Sequence, residues 1–197
     1  MKKLTVSLIA VFITFFFFAP FVFGQNASEK GKANAPDLEK IEFIHYKKDF
    51  AKPAGKISKA PSCYKFLSPS KVRWQKLPVN YIINSTNPQG LDVNFIGSAV
   101  FNSSETWDNA TGQELMNNSY TFDNSVSYGV QDYKNAITFG NYTKEGVIAV
   151  TTIWYNPALK AIAEFDVMFD TDWTWGDAEG NLSVMDLQNI ATHELGH

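Results

Sequence analysis

Ser183-Val184-Met185-Asp186-Leu187-Gln188-Asn189-Ile190-Ala191-Thr192-His193-Glu194-Leu195-Gly196-His197 reads as a helix that ends in H-E-x-x-H. Ser183 followed three residues later by Asp186 is a capping-box pattern for its start. Leu187, Ile190, Ala191 and Leu195 recur at helical spacing and form a stripe for a core. His193 and His197 are four apart, so on a helix they stack one turn above the other on a different face. Gly196 costs roughly 1 kcal/mol against Ala in a helix interior, so a close approach by another segment is expected there.

Two imidazoles so placed can bind one Zn²⁺ without moving the backbone. A catalytic zinc takes three protein ligands and keeps an open position for water. A carboxylate beside the first ligand can reach that water and take its proton as it attacks. His193 and His197 are therefore the candidate metal ligands and Glu194 the candidate general base. The chain has 3 histidines. The remaining one, His45, lies in a lysine-rich stretch and reads as an ordinary, partly exposed histidine. No third ligand is visible, and no cap or turn follows His197. The expectation is the front part of a longer protein, with these 197 residues alone binding zinc weakly and being inactive.

Met1-Lys2-Lys3, the apolar run Leu4–Phe23 and the small residue Gly24 read as a secretory signal over residues 1–24, with an uncleaved membrane anchor as the competing reading. Either places the rest outside the cytoplasm. Asn-x-Ser/Thr triplets at Asn26, Asn84, Asn102, Asn109, Asn117, Asn141 and Asn181 agree with an extracellular, glycosylated chain. From Gln25 to Lys76 there are 12 Lys and Arg against 5 Asp and Glu, whereas from Leu77 onward there are 3 Lys against 15 Asp and Glu. The basic segment either docks on the acidic part or is a solvated linker. The acidic part makes nucleic acid a poor partner.

Residues 25–70 read as a pro-segment or linker, with one strand-like patch at Ile41–Tyr46. Cys63, the only cysteine, has three readings. It pairs beyond the chain, it is a free buried thiol, or its thiolate fills the open zinc position of a latent precursor. The folded part begins near residue 71. Leu77–Asn84 predicts a strand. Phe95, Ile96, Ala99, Val100, Ser103 and Trp107 predict one apolar face of a helix that stops at Thr111-Gly112. Strands follow at Ala136–Gly140, Gly146–Tyr155 and Ala161–Phe169, the last with Ala163, Phe165, Val167 and Phe169 on one face. In the acidic loop after it, Asp170, Asp172 and Asp177 are candidate ligands for Ca²⁺, against the reading of a solvated loop. Strand, helix, three strands, helix suits an α+β fold, a twisted mixed sheet with helices packed on it.

Four pieces in this order carry a family resemblance: Trp74-(x3)-Pro78-Val79-x-Tyr81, the helix through Trp107, Phe165-Asp166-Val167-Met168-Phe169-Asp170-Thr171-Asp172-x-x-Trp175, and Ala191-Thr192-His193-Glu194-Leu195-Gly196-His197. Residues 71–197 resemble the front subdomain of the metzincin zinc metallopeptidases, among them the matrixins. The resemblance implies a zincin-like fold, His193 and His197 as the first two catalytic zinc ligands, and Glu194 as base and later acid toward the leaving amine. It also implies a third histidine and a Met-containing turn beyond His197, and an edge strand at Val147–Trp154 on which a peptide or protein substrate pairs. No histidine lies between His45 and His193, so the second, structural zinc of many matrixins is expected to be absent. Their pro-segment cysteine sits in Pro-Arg-Cys-Gly, whereas here the context is Pro61-Ser62-Cys63-Tyr64. The implied function is a secreted zinc metalloendopeptidase. Two rivals stand beside it: a thermolysin-like zincin with a distant Glu ligand, and a secreted surface or binding protein on an incomplete peptidase fold.

Overall fold

Period-two and branched stretches become strands, and the two helical periods become helices. The computed structural model describes residues 38–48 and 65–197. In chain order the elements are β1 (Glu39–Tyr46), β2 (Ile82–Ile83), α1 (Val93–Thr111), β3 (Thr121–Phe122), β4 (Ala136–Gly140), β5 (Val147–Asn156), β6 (Ala161–Asp170), β7 (Trp175–Gly176), β8 (Met185–Asp186) and α2 (Leu187–Leu195). The fold is α+β. One six-stranded mixed sheet runs β1-β5-β6-β4-β2-β3, and β7 and β8 form a two-stranded parallel ribbon. β5 pairs antiparallel with β1 and β6, while β6–β4, β4–β2 and β2–β3 are parallel. Residues 1–24 and Cys63 lie outside the described residues. Among the described residues no helix is long and apolar enough to cross a membrane.

The first helix has both of its ends specified. Asp92 accepts from the backbone N–H groups of Asn94 and Phe95 at 2.9 and 3.0 Å, satisfying two donors that the helix cannot use. Gly112 ends it in the left-handed region at φ 67°, and its N–H reaches Asp108 O. Ile96, Ala99, Val100 and Ser103 of the expected face are buried, and Phe95 and Trp107 are half-buried at its rim. Ile96, Ala99 and Val100 pack into one core with Ile83, Ile137, Ile153, Val167, Phe169, Leu187 and Ala191.

Three expectations change. The strand expected over Leu77–Asn84 pairs as a strand only at Ile82–Ile83, with a single bridge from Val79 to Met116. Pro78 has no N–H for a ladder, and the short neighbours β3 and β4 offer little more to pair with. α2 starts later than the capping-box pattern implies. Asp186 is its N-cap and accepts from Asn189 N at 2.7 Å, while Ser183 bonds the Asn181 side chain in the turn before. The largest change concerns β5. It is not an edge among the described residues, because β1 covers it along eight residues.

The alternation of β6 also conceals a second buried face. Glu164, Asp166 and Met168 are buried as well as Phe165, Val167 and Phe169. The loop before β4 covers that second face and satisfies its carboxylates. Asp166 accepts from Gly129 N at 2.8 Å and Ala136 N at 3.1 Å, and Glu164 accepts from Tyr133 N at 2.5 Å and Asp132 N at 3.2 Å. Burial still pushes the Asp166 carboxyl up from 3.8 to about 7, and it raises Glu164 too. A carboxyl whose pKa is higher folded than unfolded stabilises the fold while it is protonated. That contribution is complete below 3.8 and is lost as pH rises through about 7. Asp166→Asn is therefore expected to remove part of a decline in stability between acid and neutral pH, by at most roughly 4 kcal/mol. The variant also turns an amide NH₂ toward one backbone N–H, so its absolute stability falls. The readout is the slope of urea-unfolding free energy against pH, and equal slopes in the two proteins would contradict the assignment.

Candidate metal centre

Helix α2 is pinned before it presents anything. Leu187 and Ala191 are buried in the core, Ser103 Oγ on α1 lies 2.8 Å from Gln188 O, and Trp107 Nε1 donates to Thr192 O at 2.7 Å. Gly196 fulfils the expectation of a close contact. A Cβ there would collide with Cζ2 and Cε2 of Trp107, and the indole that blocks it is itself tied to Thr192. The end of α2 is thus clamped on the α1 side, which leaves His193, Glu194 and His197 to the side of the sheet.

Glu194 is 1% exposed, and both of its oxygens are engaged. Thr151 Oγ1 on β5 donates to Oε2 at 2.7 Å. His45 Nδ1 on β1 lies 2.9 Å from Oε1. A buried carboxylate without such partners would cost several kcal/mol, so these two groups make its burial tolerable. The His45 ring centre is 4.2 Å from that of His193, and the His193 and His197 rings stand perpendicular with centres 5.0 Å apart. Phe43, two residues before His45, stacks on His197 at 4.2 Å with an interplanar angle of 11°. Ligand atoms of His45, His193 and Glu194 lie within 4.8 Å of one another.

Two hollows flank the site. A cavity of about 170 Å³ lined by Trp74, Leu115, Ile153, Leu195, Glu194 and His197 lies on one side, and a cleft of about 690 Å³ reaches His193 past Phe95, Asn102 and Trp107. Loss of hydration, with the neighbouring His45 imidazole adding to it and Glu194 opposing, lowers the pKa of His193. Loss of hydration also lowers that of His197, with Glu194 again opposing. Both shifts favour neutral imidazole, the form that ligates a metal. Two or three neutral imidazoles beside a carboxylate are a donor set suited to Zn²⁺.

The structure brings His193 and Glu194 within ligand reach of each other and of His45, whereas His197 lies past the last residue of α2 and is not in that group. It does not gather the acidic residues. Asp170 is buried at the end of β6 and accepts from Asp172 N, Asp172 accepts from the Asn141 amide, and Asp177 accepts from Glu179 N. Among the described residues these three carboxylates do not form a group within ligand reach. His45 and Thr151 are the residues that the sequence reading missed. A signal for His45 exists: Ile41, Phe43 and His45 fall on one face of a period-two strand, and that face turns out to meet α2. Comparison with known proteins adds no relative, since no family model matches the chain and no curated protein matches it.

Proposed function

We propose that this chain carries the zinc-binding and proton-transfer residues of a secreted metalloendopeptidase with a zincin-like fold. The observation that supports this reading most is Glu194, a buried carboxylate bonded to His45 and within ligand reach of His193, on a helix clamped from behind. His193 and His197 would hold the metal through neutral ring nitrogens. When bound, zinc supplies a Lewis acid and a water made acidic near neutral pH. Glu194 accepts the proton of the attacking water at Oε1 and returns it to the leaving amine. Thr151 keeps Oε2 fixed during both transfers, so the carboxylate needs no reorientation between them.

The test is metal content followed by hydrolysis. Full-length protein, stripped with a chelator and reloaded, is expected to retain one zinc per chain and to cleave an unfolded protein substrate only when loaded. His193→Ala and His197→Ala should each lose the zinc. Zinc content unchanged in both variants would sink the reading.

A further inference from the structure

We infer that His45 is itself a metal ligand, delivered by β1 to stand beside His193 and Glu194. The inference rests on the proposed zinc site and adds the ligand that the motif alone does not supply.

With Nδ1 2.9 Å from a carboxylate oxygen, His45 in its neutral form donates its one N–H to Glu194 and keeps the lone pair on Nε2. Metal-ligating histidines characteristically donate the second ring N–H to a carboxylate in this way, which fixes the ring and raises its basicity. Here the carboxylate is the general base of the motif. One bond therefore prepares His45 as a ligand and occupies Oε1 of Glu194.

β1 is held firmly in register. It pairs with β5 from Glu39–Tyr155 to Tyr46–Val147, placing His45 opposite Ala149. Its far face is also fastened. Glu42 receives the hydroxyls of Tyr128 at 3.1 Å and Tyr142 at 3.3 Å there, while on the His45 face Glu39 receives that of Tyr155 at 2.8 Å. A slip of one residue would turn His45 to that other face and bring Ile44 to Glu194. An ordinary surface histidine needs no such fixing.

β1 lies along the β5 edge on which an extended peptide would pair, so the strand that supplies the ligand also fills the place of a substrate. The arrangement is a closed, resting site, and displacement of β1 would free the β5 edge, a metal coordination position and Glu194 Oε1 together.

The test uses Co²⁺ as the probe, on the full chain in a Cys63→Ser background. The parent is expected to bind one Co²⁺ with the visible absorption of a four-coordinate site. His45→Ala should weaken binding by more than the ten- to hundredfold typical of losing an outer partner. His45→Cys should restore binding and add a sulfur-to-cobalt charge-transfer band in the near ultraviolet, a signature that a merely structural side chain cannot produce. Parent-like affinity in His45→Ala with no such band in His45→Cys would overturn the inference. If His193→Ala still abolished binding in that case, the zinc reading would survive without His45. If His193→Ala also bound Co²⁺ like the parent, both would fall.

Discussion

Glu194→Gln is expected to lower peptide hydrolysis by about 10³-fold or more, within the range for loss of a positioned general base, while zinc content stays that of the parent. The side chains have nearly the same shape. The Gln oxygen can accept from His45 Nδ1–H and its amide NH₂ can donate to Thr151 Oγ1, so both contacts of Glu194 can be reproduced with His45 in the same ring tautomer. What disappears is the capacity to hold a proton between water and leaving amine. Stability should change little, because exchanging a buried charge for a hydrogen-bonded amide removes a desolvation cost along with a strong hydrogen bond. The measurement is kcat/KM on a peptide substrate beside zinc analysis and a thermal melt of the same samples. A variant that kept more than a tenth of the parent rate with a full complement of zinc would exclude Glu194 as the base. Loss of activity together with loss of zinc would instead mean that Glu194 organises the ligands.

Helix α1, strands β4 to β6 and the H-E-x-x-H helix were legible because each is written locally. The helices run for 19 and 9 residues and the strands for five to ten, and Thr111-Gly112 marks the limit of the first helix. The site was legible only as far as one helix carries it. His45 and Glu194 are 149 positions apart, and no local pattern announces a partner at that distance. Lysines around His45 suggested a solvated or electrostatically docked segment. In its described part, β1 is held instead by the strand ladder and by tyrosine hydroxyls on Glu39 and Glu42. The alternation of β6 left open what covers its other face. Polar residues at alternate positions suggest a face in water, but a carboxylate capped by two backbone N–H groups can be buried, and Glu164 and Asp166 are. The acidic loop shows the converse. Proximity in sequence did not gather Asp170, Asp172 and Asp177, because β6 takes the first into the core while the others cap nearby turns.

Phe169→Ala tests the scaffold without touching the histidines. Phe169 is 0% exposed and pairs in register with Ala149 of β5 and Phe139 of β4, so it joins the strand next to β1 to the parallel half of the sheet. Its ring lies 5.4 Å from Phe139 and 5.2 Å from Trp175 in tilted and edge-on arrangements. Trp175 cannot swing in to fill a void, because its Nε1 donates to Asp170 O at 2.8 Å. Truncation therefore leaves a cavity that collapses poorly, which puts the cost at about 3–5 kcal/mol. Against a total stability on the order of 5–15 kcal/mol that is a large share, and it corresponds to a fall in Tm of roughly 6–20 °C for a chain of this size. No ring of the histidine cluster contacts Phe169 among the described residues, so zinc content measured well below the melt should match the parent. Phe169→Leu, which leaves less empty volume, should lose less. A melt within about 2 °C of the parent for Phe169→Ala would mean that the aromatic cluster is not the joint between the two halves of the sheet. A normal melt combined with lost zinc would place Phe169 in the metal site's support, contrary to the separation between core and centre on which the His45 and Glu194 experiments rely.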